Sequence, residues 1–314
     1  LVNAVLQNVG LPPIEHISQA VTILSQKVQE LQSKGGGLVI NLMTGTAPTP
    51  TAANGGALPT AQITTRKAKD VFGITGNAAT AFDFDVPIFE WVDANGNPAK
   101  HPLVPDMDQG YVFRPMALLR ILWAIVKNER CWVHGPTGSG KSTLIQQVCA
   151  RLGYPCVRVN LDSDMTRLDF VGRDSLVVEN GVQVTRFVEG PLPMALQMGA
   201  VLLLDEIDFI RPDISYVLQR VLEGGSLMLS EDGAREIRPH PMFRVFATAN
   251  TKGQGDEHGA YAGARPQSMA FLDRFGVWVG VDYMERGEFE QLVDARVPTL
   301  APAHKQKLLD YAME

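Results

Sequence analysis

Five short apolar runs, each bounded by polar or glycine-rich sequence, set the expected architecture. The run ending at His134, then Cys156 to Asn160, Val201 to Leu204, Phe243 to Ala249 and Gly276 to Val281 are β-branched or leucine-rich at successive positions. Strands buried on both faces of a parallel sheet read this way. Stretches with helical spacing lie between them, so the pattern predicts a doubly wound α/β sheet with its ligand at the carboxyl ends of the strands. Residues 115 to 129, PMALLRILWAIVKNE, are apolar nearly all round, which predicts a buried helix just before the first strand. Two segments alternate with period two around a turn dipeptide: Asp174 to Val188 about Asn180-Gly181, and Ser226 to Pro239 about Asp232-Gly233. Both predict hairpins with a type I′ turn, and a compact sheet has no need of either.

The first hundred residues read differently. Residues 14 to 34 carry Ile17, Val21, Leu24, Val28 and Leu31 at alternating steps of four and three. This is a helix with a coiled-coil-like stripe, suited equally to packing on its own domain or to pairing with a neighbouring subunit. Gly35-Gly36-Gly37 ends it. From Thr44 to Thr65 the chain is rich in Thr, Ala, Pro and Gly and lacks charge, too little apolar surface to offset its ordering entropy, so it is expected to be a linker. Residues 66–110 read as a loop-rich adaptor. The expected organisation is therefore an N-terminal helical segment over 1–43, a linker over 44–65, the adaptor over 66–110, an α/β core over 111–284 and a helical region over 285–314. Tyr111, Val112 and Phe113 suit either core packing or the wall of an adenine pocket.

Composition narrows the class without fixing it. With 45% hydrophobic and 20% charged residues, the 314-residue chain has the balance of a globular protein with a sizeable core. A net charge of −6, without a lysine- or arginine-rich block, gives no electrostatic footprint for nucleic acid. Three cysteines without metal-type spacing predict reduced thiols, buried as apolar fillers, in a cytoplasmic compartment. No apolar run approaches the roughly 18 residues that cross a bilayer, and no basic-then-apolar signal segment opens the chain. A start at Leu1 instead of methionine points to a missing terminus.

The chemistry is concentrated at RCWVHGPTGSGKST, residues 130 to 143. Gly135, Gly140, Lys141 and Ser142 fill the pattern G-x-x-x-x-G-K-[ST] between a strand and a helix, the context of a nucleotide-binding P-loop. The expected cradle is Gly135, Pro136, Thr137, Gly138, Ser139, Gly140, Lys141, Ser142 and Thr143. Backbone N–H groups opened by the glycines approach phosphate oxygens, and the following helix adds its positive end. Lys141 would reach the outer phosphates of ATP and Ser142 would place its hydroxyl on Mg²⁺, while Thr143 comes one position too late for that role and is expected to face the helix.

Three further stretches supply candidates. In VLLLDEID, Asp205 ends a strand where a carboxylate can hold the Mg²⁺ shell, and Glu206 could orient and deprotonate the attacking water. Asp208 reads as a solvated or capping residue of the next helix. Asn250 ends FRVFATAN and would hold a water near the γ-phosphate if its strand neighbours that of Asp205. Arg274, in FLDRF, could supply transition-state charge to another molecule's nucleotide, or form a local salt bridge to Asp273.

GPTGSGKS, LLLDEID, FATAN and LDRF, in this order and with two inserted hairpins, resemble the AAA+ ATPases of the MoxR branch, and within it the ATPase small subunit of aerobic cobaltochelatases, the CobS type. YPCVRVNLDSDMTRLDFVGRD, RPDISYVLQRVLE and REIRPHPMFRVFATANTKGQGD carry that likeness across residues 68–285. The resemblance implies an AAA+ P-loop fold with a five-stranded parallel sheet, and a homo-oligomeric ring, usually of six subunits, with nucleotide between neighbours. It assigns Lys141 and Ser142 to Walker A, Asp205 and Glu206 to Walker B, Asn250 to sensor 1, and Arg274 to an arginine finger acting on the next subunit's ATP. It makes the hairpins inserts facing a pore or partner, and residues 286–314 a partial helical lid in which no sensor 2 arginine can be assigned. The implied partners are a metal-insertion subunit and a subunit with a von Willebrand A-like domain. Three functional readings follow: an ATP-driven motor that remodels a protein partner, a nucleic-acid translocase or restriction-type motor, and a scaffold that binds ATP only to assemble. The acidic tips Glu179-Asn180-Gly181 and Glu231-Asp232-Gly233 speak against the second, and the complete set of Asp205, Glu206, Asn250 and Arg274 against the third.

Overall fold

A computed structural model describes residues 58–162, 164–179, 182–255 and 264–312. The predicted helix over 14–34 and the linker before residue 58 lie outside the described residues. In chain order the elements are β1 (Thr60–Lys67), β2 (Asp85–Val92), α1 (Pro115–Lys127), β3 (Cys131–His134), α2 (Lys141–Leu152), β4 (Cys156–Asn160), β5 (Gly172–Glu179), β6 (Val182–Glu189), α3 (Pro191–Met198), β7 (Val201–Asp205), α4 (Pro212–Leu222), β8 (Leu227–Leu229), β9 (Arg235–Ile237), β10 (Arg244–Ala249), β11 (Val277–Gly280), α5 (Arg286–Arg296) and α6 (Pro302–Ala312).

The centre is a five-stranded sheet in the order β11-β3-β10-β7-β4, every neighbouring pair parallel. All five runs recognised by their continuous apolarity are its strands. The period-two alternation within each run divides the core. Val157, Leu202, Leu204, Val245 and Ala247 point to one face, packing with α3 and α4. Cys131, Val133, Val201, Leu203 and Phe246 point to the other, packing with α1 and α2. Every residue of β7 and β10 is buried. At about 1.5–3 kcal/mol for each fully buried Leu, Val or Phe, these two strands dominate the cohesion of the sheet. Their backbone groups are satisfied by the ladder, so the carboxyl ends open into one crevice.

Four expectations are corrected. The charge-free linker does not run to Thr65: Thr60–Lys67 is a strand, paired antiparallel with β2 from Thr60↔Val92 to Lys67↔Asp85. Its side chains stay exposed at all but the last position, so the ladder and not burial forms it, and no apolar pattern betrays it. The adaptor is correspondingly less loop-like. Phe89 packs on Tyr154 at 4.2 Å between ring centroids, and Trp91 donates from Nε1 to the Gly153 carbonyl at 2.7 Å. Helix α1 is not buried all round. Leu118, Ile121, Leu122 and Ile125 face the sheet at spacings of three and four, whereas Met116, Trp123 and Val126 are exposed, with Lys127 Nζ 5.1 Å from the Trp123 ring centre. The second hairpin has no two-residue turn: Leu229 pairs with Arg235, leaving residues 230–234 as a longer loop in which Gly233 and Ala234 both take positive φ.

The first hairpin, β5–β6, pairs from Gly172↔Glu189 to Glu179↔Val182, which leaves two residues for the turn; Asn180 and Gly181 themselves lie outside the described residues. Each hairpin forms its own two-stranded sheet, separate from the central one. Among the described residues no helix is long and apolar enough to cross a membrane, and all three cysteines are buried and free.

Gly153 joins the adaptor to the core. It closes α2 in the left-handed region at φ 63°, and an added Cβ would sit 2.3 Å from the Phe89 carbonyl oxygen. Gly153→Ala is expected to lower stability by about 1–3 kcal/mol, read as a fall in Tm or denaturation midpoint. An unchanged midpoint would contradict this packing.

Candidate functional site

The crevice at the strand ends holds a cavity of about 270 Å³ lined by Thr137, Gly138, Gly140, Lys141, Ser142, Thr143, Arg158, Asp205, Glu206, Thr248, Ala249 and Asn250. Four elements converge there because β10 lies between β3 and β7, with β4 beyond. The loop from β3 to α2 needs its glycines. Gly135, at φ 154°, passes so close to the end of β11 that a Cβ would lie 1.8 Å from the Val281 carbonyl oxygen. Gly138 and Gly140 have φ of 81° and 87°, with open space where a Cβ would be. Lys141 opens the helix, and burial pulls its ammonium pKa down, an effect that Asp205, Asp208 and Glu206 partly offset. Its Nζ donates to the carbonyls of Gly135 and Pro136, at 2.8 Å each, and to Asn250 Oδ1 at 3.0 Å.

Asp205 is the most heavily engaged group. Only 4% exposed, it accepts at Oδ1 from Ser142 Oγ at 2.6 Å and from Thr248 Oγ1, and at Oδ2 from Arg158 Nε at 2.7 Å and from a terminal nitrogen of the same guanidinium. Burial pushes its pKa up, but these hydrogen bonds and the Arg158 charge outweigh burial and hold it below the usual carboxylate range. The stability it contributes is therefore fully present above its unfolded pKa and is lost as pH falls through the depressed folded value. Glu206 follows in the left-handed region at φ 57°, ψ 43°, and donates its backbone N–H to Thr248 Oγ1 at 3.2 Å. Thr248, 1% exposed, thus ties both acidic residues to β10.

The predicted side chains separate into two groups. Of the cradle, Thr137, Gly138, Gly140, Lys141, Ser142 and Thr143 meet Asp205, Glu206 and Asn250 at the crevice, with Thr143 exposed on its rim; Gly135, Pro136 and Ser139 are not in this lining, and the first two line a neighbouring cavity that Asn250 shares. Arg274 is absent from the lining. It donates to the Ala270 carbonyl and pairs with Glu223, not with Asp273, and its Nε is buried without a partner. Asp208 is no solvated cap: it is fully buried and accepts hydrogen bonds from the residues after β10. The second hairpin's acidic tip is locally neutralised, Glu231 by Arg167 at 2.5 Å and Asp232 by Arg235 at 2.7 Å. Tyr111 and Phe113 take the core-packing alternative, with ring centroids 4.8 Å apart. Sequence reasoning missed Arg158 and Thr248. Both sit in apolar strand runs, where a polar side chain inside the run was the available signal, shared with Asn160 in the first and Arg244 in the second.

The residues present fit a Mg²⁺-nucleoside triphosphate. Ser139 Oγ is buried without a partner, the ammonium of Lys141 is held by neutral oxygens that phosphate would replace, and a hydroxyl and a carboxylate meet at 2.6 Å where a hard cation takes oxygen ligands. ATP and Mg²⁺ are the cofactors of this site.

Comparison with known proteins agrees with the geometry. The AAA domain profile of the dynein-related subfamily matches residues 132–275. The aerobic cobaltochelatase subunit CobS of a Sinorhizobium species is 44% identical over 234 residues, 74% of this chain and 66% of that one. The gas vesicle ATPase GvpN of Haloferax mediterranei is 32% identical over 179 residues, 52% of this chain and 49% of that one. S. cerevisiae Hsp104 in its casein complex overlaps 63% of this chain and 40% of its own at 20% identity and a TM-score of 0.48. The chain spans about two thirds of the cobaltochelatase subunit's length and about half of the gas vesicle ATPase's.

Thr248→Val removes a hydroxyl while leaving Asp205 and the Glu206 N–H short of a partner, and is expected to cost about 1–3 kcal/mol. Thr248→Ser keeps the hydroxyl and should stay near the parent in a thermal melt; equal losses in the two variants would contradict the assigned bonds.

Proposed function

This chain belongs to the AAA+ ATPases, in the dynein-related subfamily, and from that premise we propose that it works as a ring-forming motor that hydrolyses ATP between subunits to remodel a protein partner. The observation that carries the reading is the split of the catalytic set. The phosphate cradle, Asp205, Glu206 and Asn250 share one crevice, while Arg274 stands outside it on Glu223. An arginine placed so is suited to a neighbour's nucleotide, as in enzymes that receive a finger in trans.

Within the crevice each residue has a task. The loop N–H groups and Lys141 bind and orient the phosphates, releasing the carbonyls and amide that Lys141 now contacts. Ser142 and Asp205 would hold the metal ion, which when bound would supply a Lewis acid that neutralises charge developing on the phosphates. Glu206, fixed through its backbone to Thr248, accepts a proton from the attacking water, and Asn250 orients that water.

The hairpins are the proposed contact with the partner. On β5, Leu176 and Val178 are 73% and 69% exposed, and Val182 on β6 is 61% exposed. Apolar side chains on a protruding ribbon suit a protein surface better than a phosphate backbone. By kinship with the cobaltochelatase subunit, the proposed partner is a chelatase-type or von Willebrand A-domain subunit, and the proposed assembly is a hexamer. A cytoplasmic location fits the three reduced cysteines.

Glu206→Gln and Arg274→Ala are each expected to reduce ATP turnover by about 100-fold or more, measured as phosphate release. Unchanged turnover in both would remove the motor reading. ATP-loaded Glu206→Gln should retain the chelatase-type subunit on a resin, and Leu176→Asp with Val178→Asp should release it; equal retention would move the contact elsewhere.

A further inference from the structure

The sequence motif VLLLDEID contains a third carboxylate that the catalytic scheme does not use. Asp208 lies in the turn Ile207–Phe209 just beyond β7 and is fully buried. A buried carboxylate is costly unless its oxygens are satisfied, and here both are. Oδ2 accepts from the backbone N–H groups of Asn250 and Thr251, at 2.6 Å and 3.1 Å. Oδ1 accepts from Thr251 Oγ1 at 2.7 Å. The backbone on the other side is also fixed, since the Asp208 carbonyl accepts from the Arg265 N–H at 2.9 Å.

The bonds converge on a short segment. Asn250 and Thr251 are the first residues after β10, where the ladder stops and the chain would otherwise be free to turn. Thr251 Oγ1 accepts from the Gly253 N–H at 3.1 Å and its carbonyl accepts from Trp132 Nε1 at 3.3 Å, so the segment is held from three sides. The side chain thus aimed is the Asn250 amide, whose Oδ1 accepts from Lys141 Nζ at 3.0 Å and Thr137 Oγ1 at 3.3 Å at the outer end of the phosphate cradle.

We propose that Asp208 is a positioning residue for hydrolysis: its buried carboxylate grips the Asn250–Thr251 backbone and thereby sets the Asn250 amide at the γ-phosphate end of the crevice. The inference rests on the ATPase reading above and specifies how that site keeps its geometry. It joins the strand that carries Asp205 and Glu206 to the strand that carries Asn250, so their relative placement does not depend on the nucleotide alone. A misplacement of about 1 Å in such a group costs on the order of 100-fold in rate.

The test is a double-mutant cycle on kcat, with KM and the affinity for a non-hydrolysable ATP analogue measured in parallel. Asp208→Ala should lower kcat about 100-fold with analogue affinity within a few-fold of the parent. Asp208→Asn keeps an oxygen for the two N–H groups and should recover most of the rate. Combined with Asn250→Ala, Asp208→Ala should add little, because both act through the same amide. Multiplicative losses, or equal losses in Asp208→Ala and Asp208→Asn, would overturn the proposal. Should Asp208→Ala fail to fold, Thr251→Val removes the hydroxyl's bonds to the carboxylate and to the Gly253 N–H and should lower kcat about 10-fold at unchanged analogue affinity; no change in kcat would overturn the proposal. Glu206→Gln separates the two levels: a parent-like rate in that variant sinks the ATPase reading itself, whereas a dead Glu206→Gln beside a multiplicative cycle sinks only the role of Asp208.

Discussion

The Asp205 carboxylate is where the structure is tied together. It stands at the end of a strand buried along its whole length, and it takes hydrogen bonds from Ser142 on α2, Arg158 on β4 and Thr248 on β10. A buried carboxylate without such donors would cost several kcal/mol, so the positions of these elements are not independent of one another. Ser142 is the hydroxyl proposed to reach the metal ion, and its bond to Asp205 places it beside the other proposed ligand. Thr248 carries the constraint to the Glu206 backbone. The geometry of the proposed catalytic site therefore follows from satisfying one charge at the end of a fully buried strand.

From that end the site extends outward in two directions. Along β10 it reaches Asn250, held by Asp208 on one side and by Lys141 on the other. Along β3 it reaches the glycine loop, whose closeness to Val281 fixes the cradle against β11, and Tyr283 just beyond donates to the Thr137 carbonyl at 3.2 Å. The segment that leads from β11 into α5 is thus in contact with the phosphate loop. The two hairpins are also linked: Arg235 of β9 pairs with Glu189 of β6 at 2.6 Å as well as with Asp232.

The central sheet was legible in the sequence because burial on both faces forces apolar residues onto successive positions in short runs. The glycine loop was legible because its backbone conformations and its lysine admit few substitutes. Strand β1 was not, since it buries almost no side chain and is held by backbone pairing alone; its threonines read as a linker. Asp208 was misread for a related reason. An acidic residue after a strand looks like a cap until the neighbouring strand is known, and the parallel register of β10 against β7 is what brings the Asn250 and Thr251 N–H groups over it. The exposed Trp123 and Met116 on α1 show the limit of an all-apolar run, which records composition but not which face meets the sheet. Arg274 was found as a candidate cation, but its Glu223 partner comes from a distant helix end that no local pattern reveals.

The central claim is that the phosphate cradle of one subunit and Arg274 of another make one active site. It is tested most directly by mixing two variants that are each inactive alone, Lys141→Ala and Arg274→Ala, and measuring ATP turnover. Mixed rings contain interfaces at which an intact cradle meets an intact Arg274, so the account predicts that turnover reappears on mixing and peaks at intermediate ratios. A mixture that stays as inactive as its components, in rings shown to exchange subunits, would contradict it.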